Sequence, residues 1–250
     1  MGDMWFDEDT LNQMSQPTMD RIIEKIREGK LEDAIKVSGE MKREWGFLHD
    51  LMVESLAALL TYIGDTINED SVGDALRYMT EKVWKDAVDE IGKRDRRRIA
   101  MALAATWRAH STSGVGPDAG SFTVAEDEEK LTFTLTPCGS GQRLWRQGFY
   151  DPPKSYGLTE KPHPWSFNRE KFPYYCSHCT LMNELMPIEW SGAPLYPLDP
   201  PTSPDHWCTW YFYKDPTAVP ERFYERYGLN KTEELAKHQL TRPSHDKAED

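Results

Sequence analysis

From about residue 15 to residue 110, apolar positions recur every three or four residues, the period of amphipathic helices. Ile22, Ile23 and Ile26 share a face before Gly29 ends the segment, and Leu31, Ile35, Val37 and Met41 mark a second short helix, so the pair predicts a hairpin. A stronger stripe, Leu51, Met52, Leu56, Leu59, Leu60 and Ile63, predicts a third helix between Leu48 and Ile67. Ser71 reads as the N-cap of a helix carrying Val72, Leu76, Met79, Val83, Ala87 and Ile91, and a further helix runs from about Asp95 to His110. Together these segments predict a helical bundle.

Residues 111–120, STSGVGPDAG, interrupt the pattern with glycine, serine and proline and predict a linker. Beyond it the period becomes two. FTVAE and LTFTLT alternate as strands do, with the acidic DEEK as an exposed turn between them, and WCTWYFY (207–213) is a third strand. Eleven of the seventeen prolines fall between residues 150 and 205, among Tyr150, Tyr156, Trp165, Phe167, Phe172, Tyr174 and Tyr175. Loops of that length are either disordered or ordered for a functional reason, and the aromatic content favours order. Pro220 opens a final helix and Asn230 caps another. The expected fold is therefore α+β. A flexible start (1–14) precedes an N-terminal helical bundle (15–110), the linker, and a small antiparallel-sheet region (121–240) with long Pro/aromatic-rich loops around a metal site. A flexible tail (241–250) follows.

Charge narrows the classes. Thirty basic against forty-two acidic side chains give a net −12, which argues against a nucleic-acid surface and a polybasic membrane anchor. KRDRRR (93–98) is the one dense basic run and reads as decoration of a helix start. Aromatics at 12% argue against disorder despite a mean hydropathy of −0.71. No stretch approaches eighteen uninterrupted apolar residues, and MGDMWFDEDT lacks a basic n-region and apolar h-region, so the expectation is a cytoplasmic protein with no membrane partner. GVGPDAG has the wrong spacing and the wrong flanking order for a dinucleotide loop. The sequence leaves the oligomeric state open, a homodimer among the options.

Cysteine placement carries the chemistry. The four cysteines, Cys138, Cys176, Cys179 and Cys208, all follow residue 137. YCSHC offers a CxxC where a turn enters a helix, PCGSG follows a strand, and HWCTW brings the fourth thiol. The leading expectation is one zinc held by all four, with an iron–sulfur cluster as the alternative. Three cysteines with His178 or His206 is the other arrangement, His178 being the reserve ligand. A CxxC dithiol without metal is weaker because no βαβ unit surrounds it. The intervals are wide for a cluster motif, and a complete Cys₄ zinc has no open position for catalysis. Simple burial of Cys138 and Cys208 is the bland alternative.

Polar handles come next. Arg143, beside the CGSG turn, suits a ligand carboxylate, against the plainer option of pairing with one of the many acids. His163, among prolines and aromatics, and Tyr175 suit proton exchange, with His110 behind them; a histidine at a helix C-terminus is also favoured by the macrodipole alone. Glu189 reads as a ligand-orienting or exposed group. These four candidates, His163, Tyr175, Arg143 and His110, are expected around a pocket between the helical part and the Pro-rich region, bordered by the 138–146 turn.

DPPTSPDHWCTWYFY (199–213) resembles the end of proteins related to the 4-vinyl-reductase and aminothiazoline-carboxylate-hydrolase families, with its proline-bearing loop, cysteine and aromatic strand. The resemblance covers the last half of the chain and rests on about a dozen residues. It implies an α+β domain that binds a small organic molecule as sensor or enzyme; only Cys208 matches a family cysteine, and PCGSG and YCSHC have no place in the pattern. The expected activity is a metal-containing, hydrolase-like enzyme on a small aromatic or carboxylated compound. The alternatives are a zinc-stabilised binding or accessory protein without turnover and a redox protein.

Overall fold

A computed structural model describes residues 5–112 and 118–240. The expected 241–250 tail and the middle of the 111–120 linker lie outside the described residues.

The chain begins with helices Glu8–Ser15 (α1) and Thr18–Arg27 (α2). Asp7 caps the first, its carboxylate accepting from the Thr10 amide at 2.8 Å. Gly29, at φ +75°, turns the chain where a side chain would be strained. A single helix of 36 residues, Leu31–Thr66 (α3), then spans what the pattern divides in two. Gly46 does not break it and packs inward instead. Glu69–Met79 (α4) is capped by Asn68, three residues before the expected Ser71; the Ser71 amide is the donor, at 2.9 Å. A π-helical turn, Thr80–Trp84, leads into Lys85–Gly92 (α5), and Asp95 caps Arg96–His110 (α6).

Strands Phe122–Glu126 (β1) and Lys130–Leu135 (β2) follow, then a short helix Gly141–Arg146 (α7). The 150–205 segment is not loop throughout: residues 175–191 are helical without a gap, through His178–Thr180 (α8), a π turn at Leu181–Leu185 and Met186–Ser191 (α9). Leu198–Asp199 (β3) and Cys208–Tyr213 (β4) complete an antiparallel sheet of order β1-β2-β4-β3. Arg222–Glu225 (α10) and Lys231–Lys237 (α11), the latter capped by Asn230, end the described chain. The fold is α+β.

Packing interleaves the two halves. Ile99, Leu103 and Trp107 of α6 lie on Phe133, Leu135, Trp210 and Phe212 of the sheet. Leu60, Val72 and Leu76 of α3 and α4 meet Tyr174, Leu181 and Met186. Val53 and Ala57 meet Leu144 and Tyr175. In β4, Cys208, Trp210 and Phe212 are buried on one face, as period two requires.

Helix α3 buries its less apolar face. Gly46, His49, Val53, Ala57 and Leu60 point inward at spacings of three and four, while Leu48, Met52, Leu59 and Tyr62 are exposed. With a mean hydropathy of 1.3 over its most apolar window, α3 is long and apolar enough to cross a membrane by length and composition, a test the uninterrupted-run criterion misses. Its inward face is nonetheless part of two core clusters.

Candidate functional site

Where α3, the end of α6, the 138–146 turn and the start of the 175–191 helix meet, five polar side chains form a line. The end of α6 places His110, and the inward face of α3 places His49 opposite it, ring centroids 5.2 Å apart. Between them sits Ser140, which precedes α7 in a backbone conformation (φ −105°, ψ −99°) outside the usual basins and is 1% exposed. Its Oγ lies 3.0 Å from His49 Nε2 and 3.1 Å from His110 Nδ1. His49 Nδ1 is 3.0 Å from Asp50 Oδ1, and His110 Nε2 is 3.5 Å from the Tyr175 hydroxyl.

Asp50 sets the direction of this line, because an ionised carboxylate only accepts. His49 therefore donates from Nδ1 and accepts at Nε2, so Ser140 donates to His49 and accepts from His110 Nδ1–H. That leaves His110 Nε2 as acceptor for Tyr175 O–H. One proton arrangement satisfies these four contacts, and Ser111 Oγ lies a further 3.4 Å from His110 Nδ1. Burial, helped by His178 and His49, pushes the pKa of His110 down to about 3, which keeps that ring neutral. Burial also holds the Tyr175 phenol well above its ordinary value.

Arg143 brackets the same end. Its Nε donates to Gly139 O at 3.2 Å and lies 3.2 Å from Asp50; Nη1 donates to Gln147 at 3.0 Å and lies 3.6 Å from Glu54. Its Nη2 is buried with no hydrogen-bonded partner.

The thiols lie on the other side of the 138–146 turn. Cys138, Cys176, Cys179 and Cys208 all pack against the sheet–α6 core, and all four are free. Leu135 pairs with Cys208 across β2 and β4, so Cys138, three residues after Leu135, emerges beside Cys208. A Cβ on Gly141 would stand 2.4 Å from Cys176 Sγ; only glycine admits that sulfur. Gln142 ties the arrangement together, accepting from the Cys138 amide at 3.1 Å and donating to Pro204 and His206 carbonyls at 2.8 and 2.6 Å. Burial raises the Cys176, Cys179 and Cys208 pKa values, and every pair among the four sulfurs interacts electrostatically. Even so, among the described residues no three His, Cys, Asp or Glu side chains are spaced to hold one metal ion. The two findings are compatible: interaction between charges reaches farther than shared coordination of an ion. His178 Nε2 is 3.4 Å from Cys179 Sγ, and its Nδ1 is 2.5 Å from the Tyr175 carbonyl.

Three of the expected handles, His110, Tyr175 and Arg143, thus converge. His163 does not join them: it sits 2.8 Å from Glu69, 3.5 Å from Asp70 and stacks on Trp165 at 4.5 Å. Glu189 is paired with Arg77 through two contacts, at 2.5 and 2.9 Å. His49, Asp50 and Ser140 are absent from the sequence-based candidates; the inward spacing 46, 49, 53, 57, 60 is the signal that marks His49. Two surface hollows stand out, of about 440 Å³ along α1 and α2 and about 410 Å³ between Trp45 and Arg108, and neither is bordered by the 138–146 turn. No protein-family model, curated protein or solved structure matches this chain.

Proposed function

We propose that this chain is an enzyme acting on a small aromatic or carboxylated compound, with hydrolase-type chemistry run by Ser140 and His49 and a metal centre at the four neighbouring thiols. The observation that carries the reading is the one-directional hydrogen-bonded line Tyr175–His110–Ser140–His49–Asp50. In this reading Ser140 Oγ forms the bond to the substrate's acyl carbon while its proton passes to His49 Nε2, and Asp50 holds the resulting imidazolium. That proton then goes to the leaving group. Water, deprotonated by the same imidazole, releases the acyl group and restores the serine. The unpaired Arg143 Nη2 is the donor available to a substrate carboxylate. Zinc ligated by all four thiols would have no open position, so it would brace the turn rather than activate water. The resemblance of residues 199–213 to proteins that handle small organic molecules agrees with this substrate class.

A second reading, a metal-stabilised binding or accessory protein without turnover, is favoured by the burial of Ser140. A fluorophosphonate probe read by mass spectrometry separates the two, run beside a panel of aromatic and carboxylated esters and amides. An adduct on Ser140 that His49→Ala abolishes, with matching turnover, supports the enzyme. Ligand binding without turnover and with unmodified Ser140 supports the second reading and removes the first.

A further inference from the structure

We propose that the outward face of α3 between Leu48 and Tyr62 is a self-association seam, on which a second copy of this chain packs antiparallel about a two-fold axis near Ser55.

The face is written as a heptad. Leu48, Ser55 and Tyr62 recur every seven residues; Leu51 and Ala58 follow three places on, Met52 and Leu59 four places on. All seven are exposed, while His49, Val53, Ala57 and Leu60 fill the inner face of the same helix. The five larger side chains, with Phe47 at the rim, are each between 48% and 67% exposed. Side chains of that size present on the order of 800 Å² between them. A contiguous apolar patch that large marks an interaction site. It is also about the area, ~800 Å², that one partner gives to a standard interface.

Charge decides what fits there. The chain is 29% charged and carries a net −12, yet none of the seven positions is charged. Asp50 and Glu54 lie at the flank and are taken by Arg143 and Lys154 of the same chain. A basic partner finds no counter-charge on this face. A helix lying in a lipid surface carries a cationic border, and here the border is acidic. Two identical chains of −12 repel, and a charge-free face is where they can close without like charges in contact.

Shape decides how the copies meet. In the antiparallel register centred on Ser55, Leu48 stands opposite Tyr62, Leu51 opposite Leu59 and Met52 opposite Ala58, and Ser55 meets itself. The small residues Ser55 and Ala58 thus sit at the crossing point, where the backbones come closest, and the large ones lie toward the ends, where crossed helices diverge. A parallel pair would set Ala58 on Ala58 and Tyr62 on Tyr62, a gap beside a bulge. The antiparallel seam is isologous and closes at two copies. It leaves His49 and the Ser140 line on the other side of α3.

The test is sedimentation of the full chain over a concentration series, expected to give twice the 28.9 kDa chain mass. A monomer throughout overturns the proposal. Leu59→Glu and Leu51→Lys should each weaken association by about 100-fold or more. Circular dichroism should not change, because both positions are exposed. Combined, the two changes oppose each other as unlike charges in the antiparallel seam and as like charges in a parallel one, so the double variant should recover the dimer. A dimer indifferent to the single changes overturns the face, and a double variant that stays monomeric overturns the antiparallel register. Ser55→Cys reads the seam independently. Oxidation with diamide should join two chains through position 55, as peptide mapping would show, and an intact dimer without that link overturns the register. Flotation with zwitterionic and anionic vesicles checks the rival occupant: a monomer that floats, and ceases to float in Leu59→Glu, overturns self-association in favour of a lipid surface.

Discussion

Two buried polar knots of this molecule are built on opposite plans. In the one around Glu184 several donors fan onto a single carboxylate. The carboxylate, on the π turn after α8, accepts from the Leu198 amide at 2.7 Å and from Arg226 Nη2 at 2.6 Å, and its other oxygen accepts from the Tyr227 hydroxyl. Arg226 also donates to the Leu198 carbonyl at 3.1 Å and lies over Phe223 and Phe167. In the one around Ser140 two imidazoles and two hydroxyls run in file from the Asp50 carboxylate, and the neighbouring Arg143 keeps an unused N–H. With both carboxylate oxygens occupied, this ion pair locks β3 to the C-terminal helices. A single-file line holds the fold no better than an apolar core would, yet it can pass a proton along its length. Each arginine keeps one buried N–H without a partner, so the two networks differ in arrangement, a fan on one carboxylate against a file of imidazoles and hydroxyls.

The largest effect separates the two on activity. Ser140→Ala or His49→Ala is expected to lower turnover by about 10²–10⁴-fold while leaving the circular dichroism spectrum intact, since general acid–base groups contribute on that order. Full activity in either variant would make this line structural, like the Glu184 knot. Arg226→Ala is the mirror experiment. It leaves a carboxylate buried without its counter-charge, a change worth about 3–5 kcal/mol in stability, and should leave turnover per folded molecule unchanged. Denaturant unfolding alongside active-site titration checks both halves of that statement.

Gly141→Ala tests whether the thiols and Ser140 share one frame. The added methyl would meet Cys176 Sγ at 2.4 Å, and overpacking of this kind costs about 1–3 kcal/mol. Loss of metal and of activity together is the expected result; loss of neither would mean that Cys176 can move away without consequence. His163 stands outside the Ser140 line, since Glu69 and Trp165 occupy it. His163→Ala is expected to cost about 1–3 kcal/mol through the Glu69 carboxylate left behind, with kcat unchanged. A large fall in kcat would return His163 to the site.

Much of the fold is legible from periodicity. The alternation in LTFTLT and WCTWYFY places β2 and β4, and Asp95 and His110 bracket α6 as the pattern predicts. Residues with conspicuous chemistry, His110, Tyr175 and Arg143, also come together. What escapes the sequence has a physical reason in α3. Its outward stripe, with Leu48, Met52 and Leu59, is more apolar than the face it buries, so a hydrophobicity rule selects the wrong side and hides His49. Ser140 is obscured by its own turn, where PCGSG reads as backbone flexibility. Its hydroxyl becomes significant only when α3 and α6 bring two imidazoles to it from 91 and 30 residues away.

The smallest effect is a pH dependence in which the two knots oppose each other. Burial raises the Glu184 pKa from 4.5 to about 7, against the pull of Arg226, Tyr227 and the Leu198 amide. Between those values the folded chain keeps a proton that the unfolded chain releases, so stability falls as pH rises through that window. His110 runs the other way. Its pKa falls from 6.5 to about 3, so in that interval the unfolded chain binds a proton the folded chain refuses, and stability falls as pH drops. From about pH 4.5 to 6.5 the two slopes have opposite signs, and the unmodified protein should change little there. Glu184→Gln removes one contribution and should leave stability rising with pH across this range. His110→Gln removes the other and should leave it falling. Urea midpoints at half-unit steps of pH measure both slopes, and parallel slopes in the two variants would show that these side chains do not keep the ionisation their burial imposes.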